Sequence, residues 1–339
     1  MSGKYLIVDK IGASLSVKEG RFILKVREGR KWSVVADAAP TELDTIIIAT
    51  DKASVTTSAL TLAAKHGIDV VLITWEGPIA RMLPASYGST TWLWLEQLRQ
   101  REDPERRAEL ASAFVEGKVR NQAYVIRLYR KALEAGGRRV PKLRRIYDEL
   151  LRHARNVRNV KDWREAAQEE AAAARKYWEG IAEIVPKELG FAKRLKRFSL
   201  PEGEVIDPLN AALNIGYAAL AKEVWRAVFA AGLNPYVGYL HERRAGRMSL
   251  VYDLMEEFRP VAVDKPIIKM ARRDPGKLKN LNSRDEDRKR EAVREVWRAV
   301  ITTLRDTQPP VRNLIMTQAR RLAKAIREGA PYEPFIMRG

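Results

Sequence analysis

The chain has 339 residues, 46% of them hydrophobic, and a formal net charge of +19. That length suits one large or two moderate domains with a real core, and the absence of cysteine excludes disulfides, thiolate metal sites and cysteine nucleophiles. No run of about 18 apolar residues is present, and MSGKYLIVDKIG lacks an apolar leader core, so a soluble cytoplasmic protein without membrane attachment is expected.

The first segments read as strands. YLIVD, SLSVK and RFILKV are short runs separated by turns at Gly12, Gly20 and Gly29. TIIIAT at 45–50 and DVVLIT at 69–74 are fully apolar strands, and a last strand is expected at 79–83. Between them residues 54–66 carry helical spacing. Gly67 marks the stop, and His66 is read as a helix-end residue facing the dipole rather than a ligand. Residues 1–84 therefore predict a small β-rich domain serving as a dimer interface or platform. Residues 85–90 (ASYGST) read as a linker, and 91–339 as a larger all-α domain, giving an α+β fold class.

Helices are predicted at 91–101, 104–135, 142–160, 165–185, 208–231, 249–257, 286–305 and 310–328. Asp103-Pro104 and Asp207-Pro208 each supply an N-cap followed by a proline at the first helical position, whereas Gly136-Gly137 and Gly232 are stops. Trp92 and Trp94 read as packing residues that open the helical part.

Charge is unevenly placed. Residues 1–90 hold 11 basic and 9 acidic side chains, a balance of +2, so the remainder carries +17. Such a field attracts phosphate polymers and predicts salt-sensitive binding. Acidic membranes would compete, but no basic amphipathic helix flanks an apolar anchor, which favours nucleic acid. Arg145, Arg152 and Arg155 fall near one face of the basic segment 138–164, either as solvated surface or as a ridge that follows phosphates. The mixed charges of 284–298 read as a salt-bridged surface.

The richest stretch is 237–260, VGYLHERRAGRMSLVYDLMEEFRP. His241 precedes a basic turn (Arg243, Arg244, Arg247) and a short helix that Ser249 could cap. Asp253 and Glu256 stand three apart and share a helix face, with Glu257 one residue round. Histidine with carboxylates suits Mg²⁺ or Mn²⁺ chemistry on phosphates, and neighbouring arginines suit a polyanion. On spacing alone, solvated carboxylates and a hydrogen-bonded histidine are the commoner explanation of the pattern, which lacks the tight ligand spacing of zinc motifs.

Several separated blocks occur together in one order: KHGIDVVLITWEG, EGKVRNQAYVIR at 116–127, EEAAAARKYWEGI at 169–181, DPLNAALNIGYAAL at 207–220, AAGLNPYVGYLHE at 230–242, DLMEEFRPVAVD at 253–264 and TQARRLAKAIREGAPYEPF. Through them the chain resembles, over nearly its whole length, the CRISPR-associated integrase family (the Cas one protein). The resemblance implies one Mg²⁺ or Mn²⁺ held by Glu170, His241 and Glu256, with Asp253 joining directly or through water. Glu170 rather than Glu169 aligns with the following Ala-Arg-Lys-Tyr-Trp. Family members commonly have glycine where this chain has Ala171, a change a helix welcomes.

The implied reaction is transesterification. A 3′-hydroxyl of a short double-stranded DNA, the spacer precursor, attacks a phosphodiester of the CRISPR repeat; with water in its place the same site cuts DNA. Arg243, Arg244 and Arg247 would steady the phosphates. The resemblance also implies a homodimer paired through the N-terminal domain and a small partner, the Cas two protein. A branched-DNA repair nuclease using the same site is one alternative, and a non-catalytic DNA-binding scaffold is another. A transposon-encoded relative would carry an added DNA-binding module, which is not evident in the sequence.

Overall fold

The computed structural model describes residues 5–29, 31–43, 45–73, 78–82, 89–195, 205–242 and 244–338. Its first part holds two four-stranded sheets. One comprises β1 (Tyr5–Val8), β5 (Thr45–Ile48), β7 (Asp69–Ile73) and β8 (Pro78–Met82), in that order, the first three parallel and β8 antiparallel. The other runs β4 (Lys31–Ala38), β3 (Arg21–Glu28), β2 (Ser14–Lys18) and β6 (Ser54–Val55).

The apolar runs in β5 and β7 have a structural cause. Ile46 and Val70 face a small core with Leu15, Phe22 and Ala63. Their neighbours Ile47, Val71 and Ile73 face the other way, against Ala230 of the helical part. A strand buried on both faces has no polar alternation. β4 and β6 are the strands that periodicity does not reveal: in β4 Trp32, Val34 and Val35 remain exposed, so no inward face is marked, and β6 takes the first two residues of the expected helix 54–66. Helix α1 (Thr57–Lys65) is capped by the Thr56 hydroxyl and ends at His66 and Gly67, where the spacing predicts its stop.

The helical part begins at α2 (Ser89–Glu102), so the last two residues of the expected linker are helical; residues 83–88 lie outside the described residues. There follow α3 (Pro104–Ala135), α4 (Pro141–Asn156), α5 (Trp163–Ile184), α6 (Pro208–Ala230) and α7 (Ser249–Arg259). The side chains of Asp103 and Asp207 cap α3 and α6 as expected. Ser249 does not cap α7. It is the first helical residue, and its hydroxyl donates to the Glu242 carbonyl.

Beyond α7 the chain stays helical where its prolines suggest a stop. A π-helical turn over Pro260–Asp264 leads into α8 (Lys265–Arg273), then α9 (Pro275–Lys279). The wider turn accommodates prolines that lack an N–H. α10 (Glu286–Asp306) and α11 (Val311–Glu328) complete the layer, and one continuous core runs from Leu93 to Tyr332. Among the described residues no helix is long and apolar enough to cross a membrane.

Sheet and helices meet at a buried ion pair. Arg81 Nη1 lies 2.6 Å from Asp69 Oδ2, its second nitrogen donates to the Phe229 carbonyl, and the Thr90 hydroxyl donates to Asp69. β7, β8, α2 and α6 thus share one node. Arg81→Met should cost about 3–5 kcal/mol in urea denaturation, because Asp69 is left buried without its cation. Adding Asp69→Asn should recover most of that loss. A single-variant loss below about 1 kcal/mol would contradict the assignment.

Candidate active site

Glu170, His241 and Glu256 come from α5, the loop after α6, and α7, and all three line one cleft of about 700 Å³. Glu170 heads a stripe whose next members, Ala173, Tyr177 and Ile181, are fully buried, so its carboxylate emerges from a packed face. Glu169 turns elsewhere: its carboxylate meets His153 Nδ1 at 2.5 Å. That separates the two adjacent glutamates.

Between Glu170 and Glu256 sits an ammonium. Lys118 Nζ of α3 pairs with Glu170 Oε1 and lies 2.6 Å from Glu256 Oε2. Arg259 Nη2 reaches Glu256 Oε1 at 3.2 Å. Burial alone would raise the Glu256 carboxyl, but Arg259 and then Lys118 outweigh it and hold the group well below the usual carboxylate range. Burial likewise opposes the Lys118 charge, and Glu170 and Glu256 overcome it. Glu256 Oε2 nevertheless accepts no hydrogen bond of good geometry. Among the described residues no three His, Asp or Glu side chains form a ready-made metal cage; the lysine ammonium stands where the two glutamates converge.

His241 is held from behind. Asp253 is fully buried and accepts the backbone N–H groups of Tyr239 (2.6 Å), Leu240 (3.1 Å) and His241 (3.0 Å), and its Oδ1 is 2.7 Å from His241 Nδ1. Four contacts occupy the carboxylate, so Asp253 is placed to orient the imidazole rather than to face the cleft. A proton on Nδ1 leaves Nε2 as the free lone pair. Gly238 makes this possible: a Cβ there would stand 2.6 Å from Asp253 Oδ2 and 2.8 Å from Ser249. From α2, Gln97 bonds the Asn234 and Val237 carbonyls and Arg101 the Gly238 carbonyl, while Arg107 of α3 bonds that of Tyr239.

Glu257 points away from the cleft, into a pocket formed by the segment 330–338. Burial raises its carboxyl to about 8, against the lowering effect of the Phe335 N–H, Tyr332 and Gln318. Asp264 forms the far wall, accepting from Tyr217 (2.6 Å) and Tyr177 (2.9 Å). Arg259 and Arg194 lie over the Tyr217 ring.

The predicted arginines divide. Arg247 lines the cleft beside Tyr252. Arg244 is exposed on the same turn, and Arg243 lies outside the described residues. Arg145, Arg152 and Arg155 are exposed on α4 and do not line the cleft. Sequence reasoning missed Lys118, Arg175, Arg194, Tyr217, Arg259 and Asp264, all of which line it. Lys118 and Arg259 fall inside blocks that carry the resemblance, but nothing local marks them as partners of Glu170 and Glu256. The basic excess in the cleft, with Lys118, Arg175, Lys193, Arg194, Arg247 and Arg259 against four acids, suits a polyanionic substrate.

A strand-rich part followed by a helical layer places carboxylates and an imidazole in a basic cleft, a site suited to a phosphate-bearing polyanion. The family described as CRISPR associated protein Cas1 matches residues 6–299. "CRISPR-associated endonuclease Cas1 1" of Saccharolobus solfataricus is 38% identical over 336 residues, covering 99% of this chain and 85% of that protein. "CRISPR-associated endonuclease Cas1" of Hyperthermus butylicus is 32% identical, with 98% of each covered. The fold is shared with a casposase bound to integration product (TM-score 0.76, 24% identity, 98% of both chains). It is also shared with a CAS1 protein from Thermotoga maritima (TM-score 0.74, 18% identity, 96% and 97% covered). The chain belongs to the CRISPR-associated Cas1 family.

Lys118→Met should remove the cation that the half-buried Glu170 and the buried Glu256 share, leaving Glu256 with Arg259 alone. In EDTA the loss should approach about 3 kcal/mol, and urea denaturation checks this; a loss below about 1 kcal/mol would contradict the shared-cation assignment. Asp264 contributes a pH dependence. Burial raises its carboxyl from 3.8 to about 6, against the pull of Tyr217 and Tyr177. Its contribution to stability is complete below about pH 4 and fades as pH rises through 6, a change of roughly 3 kcal/mol at most. Asp264→Asn should flatten that part of the stability profile relative to the unaltered chain.

Proposed function

We propose that the chain is the strand-joining nuclease of CRISPR adaptation, inserting short DNA duplexes into the repeat array. One observation carries this: two carboxylates converge on a position filled by the Lys118 ammonium, and an imidazole held through its Nδ1 lines the same cleft. The donor set fits Mg²⁺ or Mn²⁺, which take oxygen ligands and tolerate a neutral histidine. Glu256 Oε2 is buried and meets the Lys118 ammonium at 2.6 Å, so it becomes an acceptor for such an ion when Lys118 moves. Glu170, His241 and Glu256 would hold it once Lys118 withdraws. When bound, the ion would polarise a phosphoryl oxygen and stabilise the attacking or leaving oxygen.

The remaining work falls to the chain's own residues. Asp253 keeps the histidine proton on Nδ1 and the ring in register. Arg259, held against Glu256 and Tyr217, and Arg194, held by Asn210 and Asn214, present guanidinium groups on fixed supports to phosphates entering the cleft. Arg247 and Arg175 extend that field along the rim. Position and charge neutralisation are what phosphodiester exchange requires.

A homodimer and a small Cas two partner complete the proposal. In the single chain the strand residues Ile7, Trp32, Val34, Val35 and Ile79 stay exposed, an apolar surface suited to pairing. Solved structures of the same fold include a Cas6-RT-Cas1–Cas2 complex, which supports the partner assignment.

The test is strand joining. A labelled duplex with 3′-hydroxyl ends, a leader–repeat plasmid and the small partner are incubated with Mn²⁺ or EDTA. Joined plasmid is expected only with metal, and Glu170→Ala and His241→Ala should each reduce it by at least about 100-fold. Joining that survives either substitution would refute the ligand assignment. Metal-dependent cutting without joining would favour the repair nuclease, and DNA binding with neither product would favour the scaffold.

A further inference from the structure

Residues 330–338 cross the back of α3 and α7 as an extended segment without regular secondary structure. Several of its contacts land beside residues of the cleft, while Arg106 and Gln318 also hold it. The Phe335 N–H donates to Glu257 Oε2 at 2.7 Å and the Tyr332 hydroxyl to Glu257 Oε1 at 2.7 Å, one residue from Glu256. The Phe335 ring stacks on Phe258 at 4.7 Å with an interplanar angle of 9°. Gln318 of α11 holds the segment from its outer side, donating to the Tyr332 oxygen and the Glu333 carbonyl.

Asn121 is the central link. It lies one turn beyond Lys118 on α3. Its Nδ2 donates to the Glu257 carbonyl (2.7 Å) and to the Phe335 carbonyl (2.9 Å), while its Oδ1 accepts the Met337 N–H (2.7 Å). One fully buried side chain thereby ties α3, α7 and the segment together. Gly117, the residue before Lys118, lets them approach. A Cβ there would lie 2.9 Å from Pro334 Cβ, 3.0 Å from Glu257 Cγ and 3.2 Å from the Phe335 carbonyl oxygen. Glycine inside a helix is unfavourable by roughly 0.5–1 kcal/mol relative to alanine, so its presence in the middle of α3 reflects that packing.

We infer that residues 330–338 form a strap that sets the position of Glu256, with Asn121 and Glu257 as positioning residues for metal binding. The inference rests on the reading of Glu170, His241 and Glu256 as metal ligands. α7 carries Glu256 on one face and Glu257 and Phe258 towards the strap. Fixing the rear face at three points fixes the azimuth of the helix, and with it the distance from Glu256 to Glu170. A metal site is sensitive to such support, since altering groups that orient a ligand typically weakens metal affinity by about 10–100-fold.

The experiment compares the unaltered chain with one whose residues 331–338 are replaced by a Gly/Ser segment of equal length. Mn²⁺ binding is read by electron paramagnetic resonance titration, and amide hydrogen exchange is read for α7 and for β7. The replaced chain should bind Mn²⁺ about 10–100-fold more weakly and exchange faster in α7 but not in β7. Adding a peptide of sequence APYEPFIMR should restore both. If the replaced chain does not fold, Asn121→Ala and Gly117→Ala take its place. The alanine at 117 favours the helix, so a loss of Mn²⁺ affinity there reports crowding against Pro334 and Phe335 of the strap and against Glu257, which the strap holds. Unchanged Mn²⁺ affinity together with unchanged α7 exchange would overturn the inference. If the unaltered chain binds no Mn²⁺, the ligand reading fails on its own, and α7 exchange alone then decides whether the strap exists.

Discussion

Four charges are packed between α3, α5 and α7: Lys118, Glu170, Glu256 and Arg259. A single charge taken out of water costs several kcal/mol unless it is paired, so the buried Lys118 and Glu256 could not stand there alone. Their mutual compensation obliges the three helices to keep one relative placement. Much of the surrounding structure serves that obligation. Asn121 bridges α3 to α7, Gly117 admits the contact, and the stripe below Glu170 locks α5 against the core. The same cluster gives the cleft its chemistry, because a position that stabilises an ammonium between two carboxylates also suits a harder cation.

Orientation of the histidine follows a different principle. His241 sits on a loop, and loops are ordinarily the mobile parts of a fold. Here the loop backbone is bonded by Gln97 and Arg101 of α2, by Arg107 of α3 and by the buried Asp253 carboxylate of α7. Arg107 is itself stacked on Trp163 at 3.9 Å. A side chain on an irregular segment thus acquires the rigidity of the helices around it. α2 also meets the sheet through Thr90 and the Asp69–Arg81 pair, so the strand-rich part and the histidine loop share a rigid neighbour.

The strap gains its leverage by contacting the helix face opposite the chemistry. Glu257 and Phe258 are the residues next to Glu256, and a helix turns about 100° per residue. Contacts on the rear therefore govern the direction of the front without touching substrate. Glu257 pays in desolvation for this role, which is why its carboxyl is raised to about 8 despite three donors.

Features that depend on a few adjacent residues were legible before folding. Asp103 and Asp207 announce their helices because capping is a local exchange between one side chain and the next amides. The parallel strands announce themselves because burial on both faces removes polar alternation. Glu170, His241 and Glu256 were reachable through the family blocks that contain them. The rest was not local. β4 is exposed on its faces and shows no period, and α8 and α9 hide behind prolines that a π-helical turn absorbs. Lys118 meets Glu170 across 52 residues, and Asn121 meets Phe335 across 214. No periodicity encodes such pairings, because they arise when separate helices are brought into contact by their apolar faces. The chain's own pattern was enough to establish the α+β class and most helices, and the resemblance singled out Glu170, His241 and Glu256. The pairing of the buried charges, the turning of Asp253 and Glu257 away from the cleft and the crossing of the strap came only with packing, since desolvation assigns each buried polar atom its partner.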